Sequence, residues 1–267
     1  LHRGVFALFS PTGSGYVNYA ACESLEYLTG GDCASAAIQY SVLPSSLSLT
    51  KVGTGVEQTR MVLDGINARL RDMAPADRPR FLLFGESLGS QVSQEIFRGT
   101  GIFGLESSGI DSAIWIGTPN ATKWRQEIWG DRSITVAPEV GPGGAYLPRG
   151  LLDLHALPQS ERAKVRYLLL QNGDDPIPKF GAPVMLRRPD WLGPNDGRPP
   201  GSPRGTSWMP VTTFFASAPK VAAMAIYDYL FRAGVPYMVQ QTPHLLQMDM
   251  ELVAGRIDAK TLVLCGL

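Results

Sequence analysis

A serine between glycines, three histidines and a pair of turn aspartates are the side chains in this sequence that could together do nucleophilic chemistry. The serine is Ser87, in Gly85-Glu86-Ser87-Leu88-Gly89. A seryl oxygen held above a sheet needs a sharp strand-to-helix turn, with little bulk beside it. Small residues two before and two or three after the serine let the helix recross the strand, and here those are Gly85, Gly89 and Ser90. G-x-S-x-G alone is a common chance pattern, so its context decides. The apolar run RFLLF (80–84) precedes it, and LGSQVSQEIFRG can follow as a helix ending at Gly99.

A neutral hydroxyl is a poor nucleophile near pH 7, so a base must take its proton. The candidates are His2, His155 and His244. Behind a serine presented on such a turn, acid and base follow in the chain, acid first. His2 precedes the serine and reads as incidental. His155 falls in an irregular stretch, ahead of any acid-bearing strand, and reads as a surface or lid residue. His244, in QQTPHLLQ, follows all the predicted strands and is the expected base. The orienting carboxylate is expected after a late strand, and YLLLQNGDDPIPKF offers Asp174 and Asp175. Either could hold the imidazole in one tautomer and stabilise its protonated form. Asp175 is preferred because Asp-Pro, an apolar residue and a second proline fix a turn directly behind it; Asp174 would then cap that turn. Both could also be plain turn formers.

An oxyanion needs two donors. One is expected to be the backbone N–H of Leu88, and the other to come from a loop after an early strand. In FSPTGSGYVN, Thr12, Gly13 and Ser14 can turn their amides toward the site, because glycine permits close approach. The same Gly-rich turn resembles a phosphate loop, but this loop holds neither G-x-x-x-x-G-K-[ST] nor G-x-G-x-x-G.

The elements that must position these groups follow from the alternation of apolar runs with amphipathic segments, which predicts βαβ units and a parallel sheet. Strands are predicted at 4–10, 35–43, 80–84, 112–117 and 165–171. RFLLF is apolar throughout, as a central parallel strand should be. Helices are predicted over 18–28 and over 54–73, where Val56, Leu63, Ile66, Leu70 and Met73 recur at helical spacing. Two long stretches break the rhythm: 118–164, and the proline-rich 181–210. Segments of that length are expected as a lid and a functional loop. Trp124, Trp129, Tyr146, Trp191 and Trp208 within them could line an apolar acyl pocket or simply pack.

Composition narrows the function classes. The chain has 267 residues, 44% hydrophobic and 18% charged, which suits one domain with one large core. Lys+Arg and Asp+Glu both number 24, so nothing suggests a nucleic-acid footprint. No run approaches the ~20 apolar residues of a membrane span, and no signal segment opens the sequence, so a processed product or a fragment is expected. Three cysteines are too few for a disulfide scaffold. Cys22 and Cys33 read equally well as a disulfide, which would mean an oxidising compartment, or as two buried thiols. Cys265 has no motif around it. No Cys/His cluster has metal-ligand spacing.

Taken together, SPTGSGYVN, LEYLTGGDCASAAIQYSVLPSSLSL, FGESLGSQ, WIGTPN, LQNGDDPI, RRPDWL and MPVTTF resemble the α/β-hydrolase superfamily. More narrowly, they resemble the bacterial family whose catalytic domain usually follows an N-terminal transmembrane bundle. The resemblance implies an α/β-hydrolase fold: a mostly parallel central sheet flanked by helices, with lid insertions. It carries Ser87 onto the nucleophile position and Asp175 onto the acid. Around the base the family commonly shows a Gly-His pair, where this chain has Thr242-Pro243-His244. It also implies a bacterial, membrane-associated location through a segment absent from this chain, with the catalytic domain facing the periplasm or exterior. The expected reaction is hydrolysis of a small-molecule or lipid ester through an acyl-enzyme, without metal or organic cofactor. Two alternatives stay open: an acyltransferase using the same three residues on lipid or cell-envelope acceptors, and a non-catalytic hydrolase-like binding module.

Overall fold

The computed structural model describes residues 2–43, 47–130, 139–148, 151–171, 175, 177–194, 198, 205 and 207–215. Six strands form the sheet: β1 Val5–Ser10, β2 Cys33–Ala37, β3 Arg80–Glu86, β4 Ser112–Ile116, β5 Ala145–Tyr146 and β6 Tyr167–Leu170. Their order is β2-β1-β3-β4-β6-β5, and all five pairings are parallel. This is the fold class expected from the alternation of apolar and amphipathic runs. The most apolar predicted strand, β3, lies inside the sheet between β1 and β4.

Seven helices among the described residues cover the sheet: α1 Tyr19–Leu28, α2 Val52–Arg71, α3 Leu88–Glu95, α4 Gly101–Ser107, α5 Lys123–Trp129, α6 Leu151–Ala156 and α7 Gln159–Arg162. Side chains alternate across a strand, so each face gathers its own core. Phe6, Leu8, Phe81, Leu83 and Trp115 meet Leu63 and Leu70 of α2, Leu105 of α4 and Trp124 of α5. On the other face, Ala7, Phe9 and Leu82 pack with Leu25 of α1. Ile114, Ile116, Leu168 and Leu170 there pack with Leu154 of α6.

The winding reverses at β1, and again at the far edge, where β6 inserts between β4 and β5. From β1 the chain crosses through α1 to β2 on one side, and β3 then pairs on the opposite side of β1. The loops leaving β1 and β3 therefore diverge at their carboxyl ends, which opens the crevice where ligands of open α/β sheets bind. The G-x-S-x-G turn and the Gly-rich loop lie on either side of that crevice.

Several expectations are corrected. The strand predicted at 35–43 is Cys33–Ala37; beyond it the chain leaves the sheet and buries Tyr40 and Ser41. The helix predicted to reach Gly99 ends at Glu95, and the separate helix α4 follows, unforeseen. Within 118–164, the stretch expected as a lid, residues of α5, β5 and α6 join the cores on the sheet. Trp124 is fully buried with its ring 5.1 Å from that of Trp115, and Trp129 packs edge-on against it. Tyr146 sits on the sheet-edge strand β5, buried in the second core. Trp124 and Tyr146 pack the interior, and Trp129 packs against it. Trp191 and Trp208 contact each other in a small cluster with Leu192. Cys22 and Cys33 are free thiols beside the α1 core. Burial, followed by Glu26 and Glu23, pushes the Cys22 thiol above its ordinary value, which lowers its reactivity. Cys265 lies outside the described residues.

Candidate active site

Strand β3 delivers Ser87 directly onto the start of α3. Its backbone has φ 54° and ψ −124°, one of only two positive φ values at non-glycine positions among the described residues. A non-glycine residue held there costs about 1–3 kcal/mol, so the surroundings must enforce it. Three features do. The Ser87 amide donates to the Ile116 carbonyl at the end of β4 (2.9 Å). A Cβ at Gly85 would lie 2.7 Å from Ser93 Oγ and 2.9 Å from Ser90 Cα, so only glycine lets α3 recross the strand. A Cβ at Gly89 would fall on the Ser10 and Pro11 carbonyl oxygens, so that glycine lets α3 press against the end of β1. Helix α3 is further anchored by Trp115 Nε1 donating to Ser93 Oγ (3.0 Å) and by Gln94 Nε2 donating to Thr118 Oγ1 (2.9 Å). Ser87 itself stays half-buried at the crevice.

Asp175 is buried, 4% exposed, in the loop after β6. Its Oδ1 accepts from the Ile177 amide (2.8 Å), closing the tight turn expected from the Asp-Pro sequence. Its Oδ2 lies 2.9 Å from where a Gly117 Cβ would stand. Gly117 follows Ile116, the residue to which Ser87 is tied. Ser87 and Asp175 thus flank the same end of β4. Asp174 and His244 lie outside the described residues. His2 is exposed, and so is His155, which falls in the last turn of α6.

Across the crevice, the loop after β1 folds on itself. The Thr12 amide donates to the Tyr16 carbonyl (2.9 Å), and the Gly15 amide to the Thr12 carbonyl (2.8 Å). Thr12 Oγ1 and Ser14 Oγ are 2.9 Å apart, and Tyr40 Oη donates to the Pro11 carbonyl (3.2 Å). The Thr12 amide is therefore committed within its own turn. That leaves the Thr12 hydroxyl and the Gly13 amide as the groups of these two residues that can face the crevice. As the first residue of α3, Leu88 has an amide with no intrahelical acceptor.

Glu86 and Asn18, which no motif marks, stand beside these groups. Glu86, the last residue of β3, is buried with 8% exposure. Asn18 Nδ2 donates to its Oε2 (3.2 Å), while Asn18 Oδ1 caps α1 by accepting from the Ala21 amide (2.9 Å). The available signal was a carboxylate closing an otherwise apolar strand. Among the described residues there is no cluster of His, Cys, Asp and Glu able to hold a metal ion, and no helix long and apolar enough to cross a membrane.

A family model described as an alpha/beta-hydrolase family matches residues 1–227. The chain belongs to the α/β-hydrolase family. Among solved structures it is similar to an acetylxylan esterase, with 16% identity and a TM-score of 0.41, over 66% of this chain and 86% of that one. An iodinated complex of acetyl xylan esterase gives 16% identity and a TM-score of 0.37, over 64% and 84%. No curated protein matches. Within this α/β-hydrolase, the elbow, the Asp175 turn and the β1 loop all lie at the carboxyl ends of the strands.

Proposed function

We propose that this α/β-hydrolase cleaves carboxylic esters of small-molecule or lipid type through an acyl-enzyme. The observation that carries the proposal is Ser87. A serine held in a strained conformation at the junction of a central strand and a helix is costly, and a need for its oxygen at that point accounts for the cost. In this reading Ser87 Oγ attacks the ester carbonyl carbon while His244 takes the hydroxyl proton. The tetrahedral oxyanion is held by the Leu88 amide and by Thr12 or Gly13. Collapse expels the alcohol, which receives the proton from His244, and leaves Ser87 acylated. Water, deprotonated by His244, then releases the acid. Asp175 holds the imidazole in the tautomer that accepts from Ser87 and stabilises it once protonated.

The burial of Asp175 supports its part: a carboxylate withdrawn from water there needs charged or hydrogen-bonding company. The chemistry needs no metal or organic cofactor. Association with a bacterial membrane, implied by the family resemblance, belongs to the same proposal and predicts that the native protein sediments with membranes.

A rate profile over p-nitrophenyl esters of graded chain length, run beside Ser87→Ala, tests the reaction. The expected result is hydrolysis with a preferred acyl length, reduced by about 10³-fold or more in the variant. Equal rates in both proteins would contradict it. Faster product formation with an added alcohol, giving a new ester, would identify an acyltransferase instead.

A further inference from the structure

Glu86 is a buried carboxylate immediately before the nucleophile, where an apolar residue would close the strand at less cost. Its partner, Asn18, ends the Gly-rich loop and starts α1. Leu82, two turns of the pleat earlier on β3, packs with Leu25 of α1. Glu86 therefore faces the α1 side of the sheet, opposite the face on which Gly85 meets α3. The loop from Pro11 to Asn18 is thus held at both ends. At its start, Ser10 pairs with Gly85 and the Ser10 and Pro11 carbonyls abut Gly89; at its end, Asn18 bonds Glu86. Residues 85, 86 and 89, which bracket Ser87, all fasten the loop that carries Thr12 and Gly13.

We infer that the Asn18–Glu86 hydrogen bond is a positioning latch, which sets the distance between the loop carrying the second oxyanion donor and the nucleophile elbow. The inference rests on the hydrolase reading and deepens it. The two side chains touch no reacting atom. They act through the placement of Thr12 and Gly13, whose contact with substrate exists only when the oxyanion forms. Loss of the latch should lower kcat and leave KM nearly unchanged, the signature of an interaction made in the transition state.

The geometry permits a test in which donor and acceptor are exchanged. Asn18→Asp keeps the oxygen that caps α1 but removes the Nδ2 donor and sets two carboxylates against each other. Glu86→Gln keeps an acceptor for Asn18. In the double variant, the amide introduced at position 86 can donate to the carboxylate introduced at position 18, so the bond is remade with reversed polarity. kcat, KM, melting temperature and the rate of fluorophosphonate labelling at Ser87 are measured for the wild type and all three variants. The expected pattern is a kcat loss of about tenfold or more in Asn18→Asp, with KM within about twofold. Glu86→Gln should stay within about threefold of wild type, and the double variant should recover to about the same level. A double variant as slow as Asn18→Asp would overturn the latch. So would an Asn18→Asp enzyme with wild-type kcat, or losses that follow melting temperature alone. An unlabelled, inactive wild type would instead remove the hydrolase reading, and this inference with it.

Discussion

At the scale of single residues, the account turns on one strained serine and one buried carboxylate. Asp175 Oδ1 accepts from the Ile177 amide, and its Oδ2 stands against the end of β4. Asp175→Asn should therefore reduce kcat by about 10³–10⁴-fold with little change in melting temperature, whereas Asp174→Asn should cost less than about tenfold. Steady-state kinetics on one ester decides between them, and equal losses would mean that the acid is misassigned. The sequence made Ser87 legible because its turn needs glycines at fixed offsets, and Asp175 because prolines fix the turn behind it. Glu86 and Asn18 were not legible. They are 68 residues apart, and no local pattern reports that the start of α1 meets the end of β3. The committed Thr12 amide was hidden for a similar reason: a Gly-rich turn shows that amides can be presented, without showing which of them the turn itself consumes.

At the scale of elements, the close fit of α3 against β1 and β3 keeps the elbow in its costly shape. Gly89→Ala places a methyl on two backbone carbonyl oxygens that cannot rotate away. It should destabilise the protein by about 3 kcal/mol or more, and the displaced elbow should lose activity even where the protein still folds. Gly99→Ala is the control. That glycine has φ 78° with open space around it, so only the left-handed backbone penalty of about 1 kcal/mol applies. Urea unfolding of the two variants measures the difference, and similar values would show that α3 does not press on β1 as described. Helix α2 and strands β1, β3 and β4 were legible from periodicity and apolar runs. The break between α3 and α4 was not, because Ile96 and Phe97 continue the apolar pattern across it. In 118–164 glycines and prolines suggest a loop, and no local pattern reports that Trp124 and Tyr146 lie in the cores.

At the scale of the whole molecule, the doubly covered sheet buries Tyr167 completely, with its hydroxyl donating to the Ile110 carbonyl (3.1 Å). Burial pushes this phenol up to about 12, against the downward pull of Arg166. An unfolded tyrosine titrates near ~10, so in the interval between the two values the unfolded chain has lost the proton and the folded protein keeps it. The contribution is whole below pH ~10 and is lost as pH rises through ~12, so stability should fall over that alkaline window. Tyr167→Phe should flatten the fall while costing about 1 kcal/mol near neutrality through the lost hydrogen bond. Denaturant titrations at several alkaline pH values check this, and an unchanged alkaline slope in the variant would contradict it. The central claim concerns the crevice between β1 and β3, where the proposed chemistry runs through the Ser87 oxygen. Mass spectrometry of peptides from fluorophosphonate-treated protein measures that oxygen most directly. The account predicts one adduct per chain on the peptide containing Ser87, and no adduct in Ser87→Ala. Labelling that persists in the variant, or a wild type that takes up none, would contradict it.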